Sequence, residues 1–196
     1  LIHGLALLST CVGIPFLVTA ASHLGLVSVI SAGVFLTTMV LVFLTSTIYH
    51  ALPMGQGKRI FLRLDHGAIY IFIAGSYTPF ALSHQSSEQA WMLLTIVWSL
   101  AVIGALLEVF DRLSHPWLST GLYLVMGWLV LLAAIPLIGR MPQTAADLLL
   151  VGGLTYTVGV VFYVLDSRLK YSHAVWHTFV TTGSGCHFFA VLYFMA

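Results

Sequence analysis

The stretch GLVSVISAGVFLTTMVLVFLTSTIYHA, residues 25–51, decides the fold. It contains no Asp, Glu, Lys or Arg, and it is longer than the roughly 20 residues that a helix needs to cross about 30 Å of hydrocarbon. Backbone polar groups in lipid must be hydrogen-bonded within the segment, so the stretch predicts a transmembrane helix. Near its end stand Ser46 and, one helical turn later, His50. A segment that only contacts lipid needs neither residue.

The composition of the whole chain gives the same class. Of its 196 residues, 60% are hydrophobic and 7% are charged, and the mean hydropathy is +1.03. A soluble domain has roughly 25% charged residues, so this chain cannot cover itself for water, and an integral membrane protein is predicted. The net charge of +1 argues against a nucleic-acid partner. Cys11 and Cys186 lie in apolar segments and are expected to be buried thiols rather than a disulfide.

Apolar spans recur along the chain with short connections between them. They lie near 1–21, 25–51, 64–83, 89–107, 117–138, 145–165 and 173–195. This pattern predicts an all-α membrane protein, a seven-transmembrane-helix bundle with a single domain over residues 1–196. The chain begins at Leu1 without a methionine, so we expect a cytoplasmic N-terminal segment to precede it. The glycines at 152, 153, 159, 183 and 185 are expected to allow close helix packing.

The basic residues predict the orientation. With seven spans, loops 2–3, 4–5 and 6–7 lie on the side of the N-terminus, and they contain Lys58, Arg59, Arg63, Arg112, Arg168 and Lys170. The opposite loops contain only Arg140. Because Lys and Arg favour the cytoplasmic side, we expect the N-terminus inside and the C-terminus outside. The predicted location is the plasma membrane, which is the inner membrane for a bacterial protein, with multiple passes.

This topology places four polar side chains at a similar depth. His50 ends the second span, Asp65 opens the third, and His173 opens the seventh, all beside the basic loops. His177 follows His173 at i+4, roughly 6 Å along the helix and on the same face. Topology places these residues level but leaves open whether the three helices are neighbours.

Three imidazoles with a nearby carboxylate have a specific chemistry. Three neutral histidines leave one tetrahedral position of zinc open, as in catalytic sites with a bound water of lowered pKa. Asp65 could hold that water or take its proton. Ser46 could hydrogen-bond the water, a substrate carbonyl or the His50 ring. The HAVWH at 173–177 lacks the glutamate of the HExxH protease motif, so any base must come from elsewhere.

Simpler interpretations of these residues remain open from the sequence. An interfacial histidine is often only hydrogen-bonded to a helix end, and Asp65 could pair with Arg63 or Arg59, or interact with the start of its own helix. Glu108 and Asp111 flank Arg112 and are expected to form solvated ion pairs.

The remaining histidines have weaker expectations. His187 lies too deep to share a metal with His177 and is expected to line a cavity or form a structural hydrogen bond, with contact to a substrate as the alternative. The other interfacial histidines, at positions 3, 23, 84 and 115, have no convergent partner in the sequence.

Three segments resemble one known family. They are TSTIYH at 45–50, RLDHGAIYIFIAGSYTPF at 63–80 and HAVWHTFVTTGSGCHFFAV at 173–191. They are similar to the bacterial hemolysin III branch of the progestin and adipoQ receptor (PAQR) family, and the likeness covers nearly the whole chain. The resemblance implies a seven-helix bundle with Zn2+ near the cytoplasmic side, held by His50, His173 and His177. It also places Asp65 near the zinc-bound water and Ser46 one turn before the first ligand.

Two classes of function follow from these residues and the resemblance. One is a zinc-dependent hydrolase of lipid amide or ester bonds, ceramidase-like, acting in membrane lipid homeostasis on a membrane lipid or fatty-acyl ligand in the bundle. The other is a non-catalytic, receptor-like lipid sensor with structural zinc, or a haemolysin-like membrane-active protein. A pore would need a polar stripe along several helices, and the spans show none. The sequence predicts neither the lipid nor the oligomeric state.

Overall fold

In the computed structural model, residues 1–83, 87–113, 116–133 and 141–196 are described. The described helices are α1 (Ile2–Ser22), α2 (Leu26–Ala51), α3 (Gln56–Leu82), α4 (Glu88–Val109), α5 (Pro116–Ala133), α6 (Gln143–Val164) and α7 (Ser172–Met195). They confirm the all-α bundle of seven helices. Four expectations lie outside the described residues: the end of the fifth span at 134–138, and the placement of His84, His115 and Arg140.

Helix α3 begins at Gln56, eight residues before the predicted start of the third span at 64. The prediction was wrong because hydropathy marks only the apolar part of a helix, and the first turns of α3 are basic. Lys58 shows what these turns do: its Nζ donates to the backbone oxygens of Tyr49 and Leu52, each at 3.1 Å. The last carbonyls of α2 are therefore satisfied by the start of α3.

The helices that adjoin in sequence mostly pack against each other, and α7 also packs against α1. Helix α7 further contacts α2 and α3, so the three helices that contain the predicted site are neighbours. One buried cluster joins α1, α2, α3 and α7 through Leu17, Phe35, Phe72 and Val191. A second cluster, which includes Val97, joins α3, α4 and α5.

Close approach of α6 and α7 depends on glycine. A Cβ on Gly152 would lie 2.6 Å from the His187 ring, and one on Gly159 would lie 2.7 Å from Phe179. A Cβ on Gly183 would also lie 3.0 Å from the Tyr156 ring, so the packing role is confirmed at three of the predicted glycines, whereas Gly153 and Gly185 have open space around them. The same principle acts between α2 and α3, where a Cβ on Gly75 would overlap Thr38.

The outer surface of the bundle is apolar. Leu5, Phe16, Ile103 and Val151 are among the large hydrophobic side chains that are at least half exposed. Among the described helices, α1, α2, α4 and α6 are long and apolar enough to cross a membrane by length and composition. Both thiols are unpaired, but Cys11 is exposed on this outer surface, so the expectation that it is buried was wrong.

Candidate metal centre

Three histidines converge where the end of α2 meets the start of α7. His50 occupies the last turn of α2, and His173 and His177 occupy the first two turns of α7. One ligand nitrogen from each lies within 4.8 Å of the others. The closest approach is between His50 Nε2 and His177 Nε2, at 3.0 Å. His50 is exposed, whereas the other two are half-buried.

This arrangement fits a metal ion. Two nitrogens bound at roughly 2.0–2.1 Å to one tetrahedral zinc lie about 3.3 Å apart, close to the observed Nε2–Nε2 separation. His173 Nε2 is buried and has no hydrogen-bond partner among the described residues, so its lone pair is available. An all-imidazole set suits zinc, copper, iron or nickel rather than calcium or magnesium. The three residues could therefore hold one transition-metal ion.

The other ring nitrogens of the two α7 histidines are held by other parts of the chain. His173 Nδ1 lies 3.1 Å from Asp166 Oδ2, in the loop before α7. His177 Nδ1 lies 2.9 Å from His3 Nε2, in the first turn of α1. Metal-binding histidines usually have such a partner, which fixes the ring orientation and the tautomer.

Neither of these partners was predicted from the sequence. For His3, the expectation of no convergent partner was wrong, although its position at the N-terminal end of α1 puts it level with the other three histidines. That shared depth was the signal that could have found it. No pattern in the sequence pointed to Asp166, because it lies in a loop and so does not follow the residue spacing of a helix.

Ser46 and Asp65 adjoin the cluster from α2 and α3. Ser46 is fully buried, and its Oγ lies 2.7 Å from His3 Nδ1. The Ser46 hydroxyl also interacts with the Asp65 carboxylate. The sequence allowed a hydrogen bond from Ser46 to the His50 ring, but the structure shows one between Ser46 and the His3 ring.

The alternative roles of Asp65 are not what the structure shows. Arg63 pairs with Asp111, at 2.7 Å, rather than with Asp65. Because α3 begins at Gln56, Asp65 lies in the helix interior and cannot interact with the helix start. Asp65 instead lines the same cavity as the histidines.

Glu108 is not a solvated partner of Arg112, as the sequence suggested. It is buried at 6% exposure and accepts hydrogen bonds from the hydroxyls of Ser119 and, at 3.5 Å, Tyr123. His66 Nδ1 lies 3.8 Å from its other oxygen. The expectation was wrong because α4 ends at Val109, so Arg112 does not continue the helical face that contains Glu108.

A cavity of about 640 Å³ extends from the histidine cluster into the bundle. Its polar end is lined by the cluster, Ser46 and Asp65, and most of its further wall is apolar, including Ile69, Phe72 and Phe80. His187 lines the wall farther along α7 and donates to the Gly183 carbonyl at 2.8 Å, so the cavity-lining and hydrogen-bonding roles expected for it are confirmed. The volume lies within the range of small-molecule sites.

Comparison with known proteins gives a consistent result. The haemolysin-III related family matches residues 1–188. The chain is 38% identical to the Hemolysin-3 homolog of Bacillus subtilis over 193 residues, which is 98% of this chain and 90% of the relative. It is 37% identical to Hemolysin-3 of Bacillus cereus, over 98% of this chain and 88% of the relative. It is 27% identical to the Monocyte to macrophage differentiation factor of Homo sapiens, over 83% of this chain and 69% of the relative. No solved structure matches.

Proposed function

Because this chain belongs to the haemolysin-III related family and is a multi-pass protein of the bacterial plasma membrane, we propose that it is a zinc-dependent hydrolase of lipid amide or ester bonds. The observation that supports this function is the convergence of three imidazoles at one end of a largely apolar cavity that Asp65 also lines. A metal site and a place for a lipid chain thus adjoin each other.

In this proposal His50, His173 and His177 hold the zinc ion through one nitrogen each, with a fourth position left for water or substrate. The chemistry that bound zinc supplies is polarisation of a carbonyl and activation of water near neutral pH. The buried, unpartnered Nε2 of His173 supports this ligand set, because an imidazole nitrogen without a partner is costly unless something binds it.

Asp65 acts as the proton carrier. Asp65 lines the same cavity as the cluster, and its carboxylate can accept a proton from the attacking water and then return it to the departing amine or alcohol. Ser46 holds Asp65 in place through its hydroxyl. General acid–base groups of this kind contribute about 10²–10⁴-fold to rate.

The shape of the cavity supports a lipid as the substrate class. On α3 the lining extends from Arg59 to Ala81, and its part from Asp65 to Phe80 spans roughly 22 Å at 1.5 Å per residue. This distance covers most of the roughly 30 Å hydrocarbon thickness of a bilayer. A membrane lipid with its acyl chain along this wall would place its carbonyl at the polar end.

The basic loops support placing the site at the cytoplasmic face. Lys58 and Arg63 lie at the same end of the bundle as the histidines, on the first turns of α3. With Lys and Arg favouring the cytoplasm, the N-terminus is inside and the C-terminus outside.

Turnover by the purified protein tests this function. Zinc content would be measured together with the release of free fatty acid from ceramide-like lipids and phospholipids. We expect Asp65→Asn to keep zinc and lose at least about 100-fold in rate. The control is Asp147→Asn, whose carboxylate accepts from Gln143 on the exposed surface of α6; it should leave the rate unchanged.

If the wild type contains zinc but releases no more fatty acid than Asp65→Asn on any lipid, the hydrolase proposal is wrong. The zinc would then be a structural clamp between α2 and α7 in a receptor-like regulator.

A further inference from the structure

We propose that His3 on α1 is a positioning residue of the metal centre, which fixes the tautomer and orientation of His177 and links that ligand to Asp65. The inference rests on the proposed zinc site, but it does not depend on hydrolysis. It starts from a continuous chain of contacts: Asp65 with Ser46, Ser46 Oγ with His3 Nδ1 at 2.7 Å, and His3 Nε2 with His177 Nδ1 at 2.9 Å.

The chemistry of the groups sets the direction of every bond in this chain. An ionised carboxylate only accepts, so the Ser46 hydroxyl donates to Asp65. The Ser46 oxygen is then left to accept from His3 Nδ1–H. A neutral imidazole has one N–H, so His3 Nε2 is an acceptor and must receive the proton of His177 Nδ1–H. His177 Nε2 is therefore the bare nitrogen.

That bare nitrogen is the one that faces the other ligands. His177 Nε2 lies 3.0 Å from His50 Nε2. The Asp65 carboxylate at one end of this hydrogen-bonded series thus leaves the lone pair of His177 Nε2, at the other end, free to bind the metal. Without His3, the His177 ring could place its proton on either nitrogen, and only one of the two tautomers binds the ion through Nε2.

Burial strengthens this role. His3 is 7% exposed and Ser46 is fully buried, so water has little access to replace either bond. The ring of His3 also packs edge-on against His177, with centroids 4.0 Å apart, and against Phe43, at 5.3 Å. Its orientation is fixed by packing as well as by hydrogen bonds.

The test compares variants of the full chain in detergent, with zinc affinity and the Co²⁺-substituted absorption spectrum as readouts. We expect His3→Leu to weaken zinc binding about 10–100-fold, the usual cost of losing such a partner, and to change the Co²⁺ spectrum. His3→Gln, whose amide can reach His177, should recover part of the affinity. His23→Leu, at the exposed end of the same helix, should behave as the wild type.

A second comparison separates positioning from general packing. Ser46→Ala and His3→Leu interrupt the same series of hydrogen bonds. The double variant should therefore lose hardly more zinc affinity than His3→Leu alone. Fully additive losses would overturn the proposed chain.

Two results decide against His3. Wild-type zinc affinity and an unchanged Co²⁺ spectrum in folded His3→Leu would overturn the inference. If His3→Leu does not fold, wild-type behaviour of His3→Asn, whose amide side chain is one methylene shorter than that of His3→Gln, would overturn it in the same way. A wild type without zinc would refute the metal site and His3 together, whereas zinc binding without fatty-acid release would refute hydrolysis alone.

Discussion

Replacing Asp166 with alanine should weaken zinc binding about tenfold, because its carboxylate holds the Nδ1 of His173 at 3.1 Å. Partners of metal-binding histidines contribute about 10–100-fold to metal affinity. The pair lies at the surface, with side-chain exposures of 39% for His173 and 45% for Asp166, so water can partly replace the carboxylate. The lower end of the range applies, which is about 1.4 kcal/mol.

The assay is competition for zinc between the full chain and a chelator of known affinity, at fixed pH and salt. The matched control is Asp147→Ala, another exposed aspartate, whose partner is a glutamine of the same helix. It should not change the zinc affinity. A folded Asp166→Ala with wild-type affinity would refute the orienting role, and a loss of more than about a thousandfold, well beyond the effect of a ligand's partner, would mean that Asp166 binds the ion directly.

Further predictions concern stability. Glu108→Ala should lower the thermal unfolding temperature, since it leaves the buried Ser119 hydroxyl without its acceptor, a loss of about 1–3 kcal/mol. Gly75→Ala should also destabilise the bundle, by about 1–3 kcal/mol, because the added methyl overlaps α2. A strong zinc chelator should lower the unfolding temperature of the wild type, since a ligand that binds only the folded state stabilises it. Acidification should release the metal, since imidazoles bind it in their neutral form.

Three of these predictions have a comparison variant that can contradict them. Glu88→Ala removes an exposed carboxylate from the first turn of α4, which costs about 0.3–1 kcal/mol. It should therefore lower the unfolding temperature less than Glu108→Ala, and an equal drop in both glutamate variants would rule out the buried network as the cause. Gly153→Ala adds a methyl in open space and should be tolerated, unlike Gly75→Ala. Chelator should not affect His50→Ala; an equal shift in that variant would show that the chelator acts elsewhere.

Much of the fold could be predicted from the sequence because lipid imposes simple rules. A helix that crosses the membrane needs a long apolar segment, and the basic loops indicate which ends of these segments lie on the same side of the membrane. His50, His173 and His177 were predicted as a group because they lie at a similar depth on that side, and because the last two have i,i+4 spacing. The start of α3 was missed because its first turns lie beyond the apolar segment and are basic, including Lys58.

The rest of the site depended on information that the sequence pattern does not contain. Asp166 contacts His173 because the loop between α6 and α7 turns back. A loop has no regular residue spacing from which such a contact could be predicted. Glu108 seemed paired with Arg112 by proximity in sequence, but the helix ends between them and Asp111 adopts a positive φ of 58°. That backbone turn ends the helical face of α4, and only the packed structure shows that Glu108 is buried instead.

Anomalous X-ray scattering at the zinc absorption edge, from crystals grown without chelator, tests the central claim most directly. We predict one strong peak within bonding distance of ring nitrogens of His50, His173 and His177. Well-ordered density for these three imidazoles with no anomalous peak between them, even after zinc is added, would contradict the zinc site.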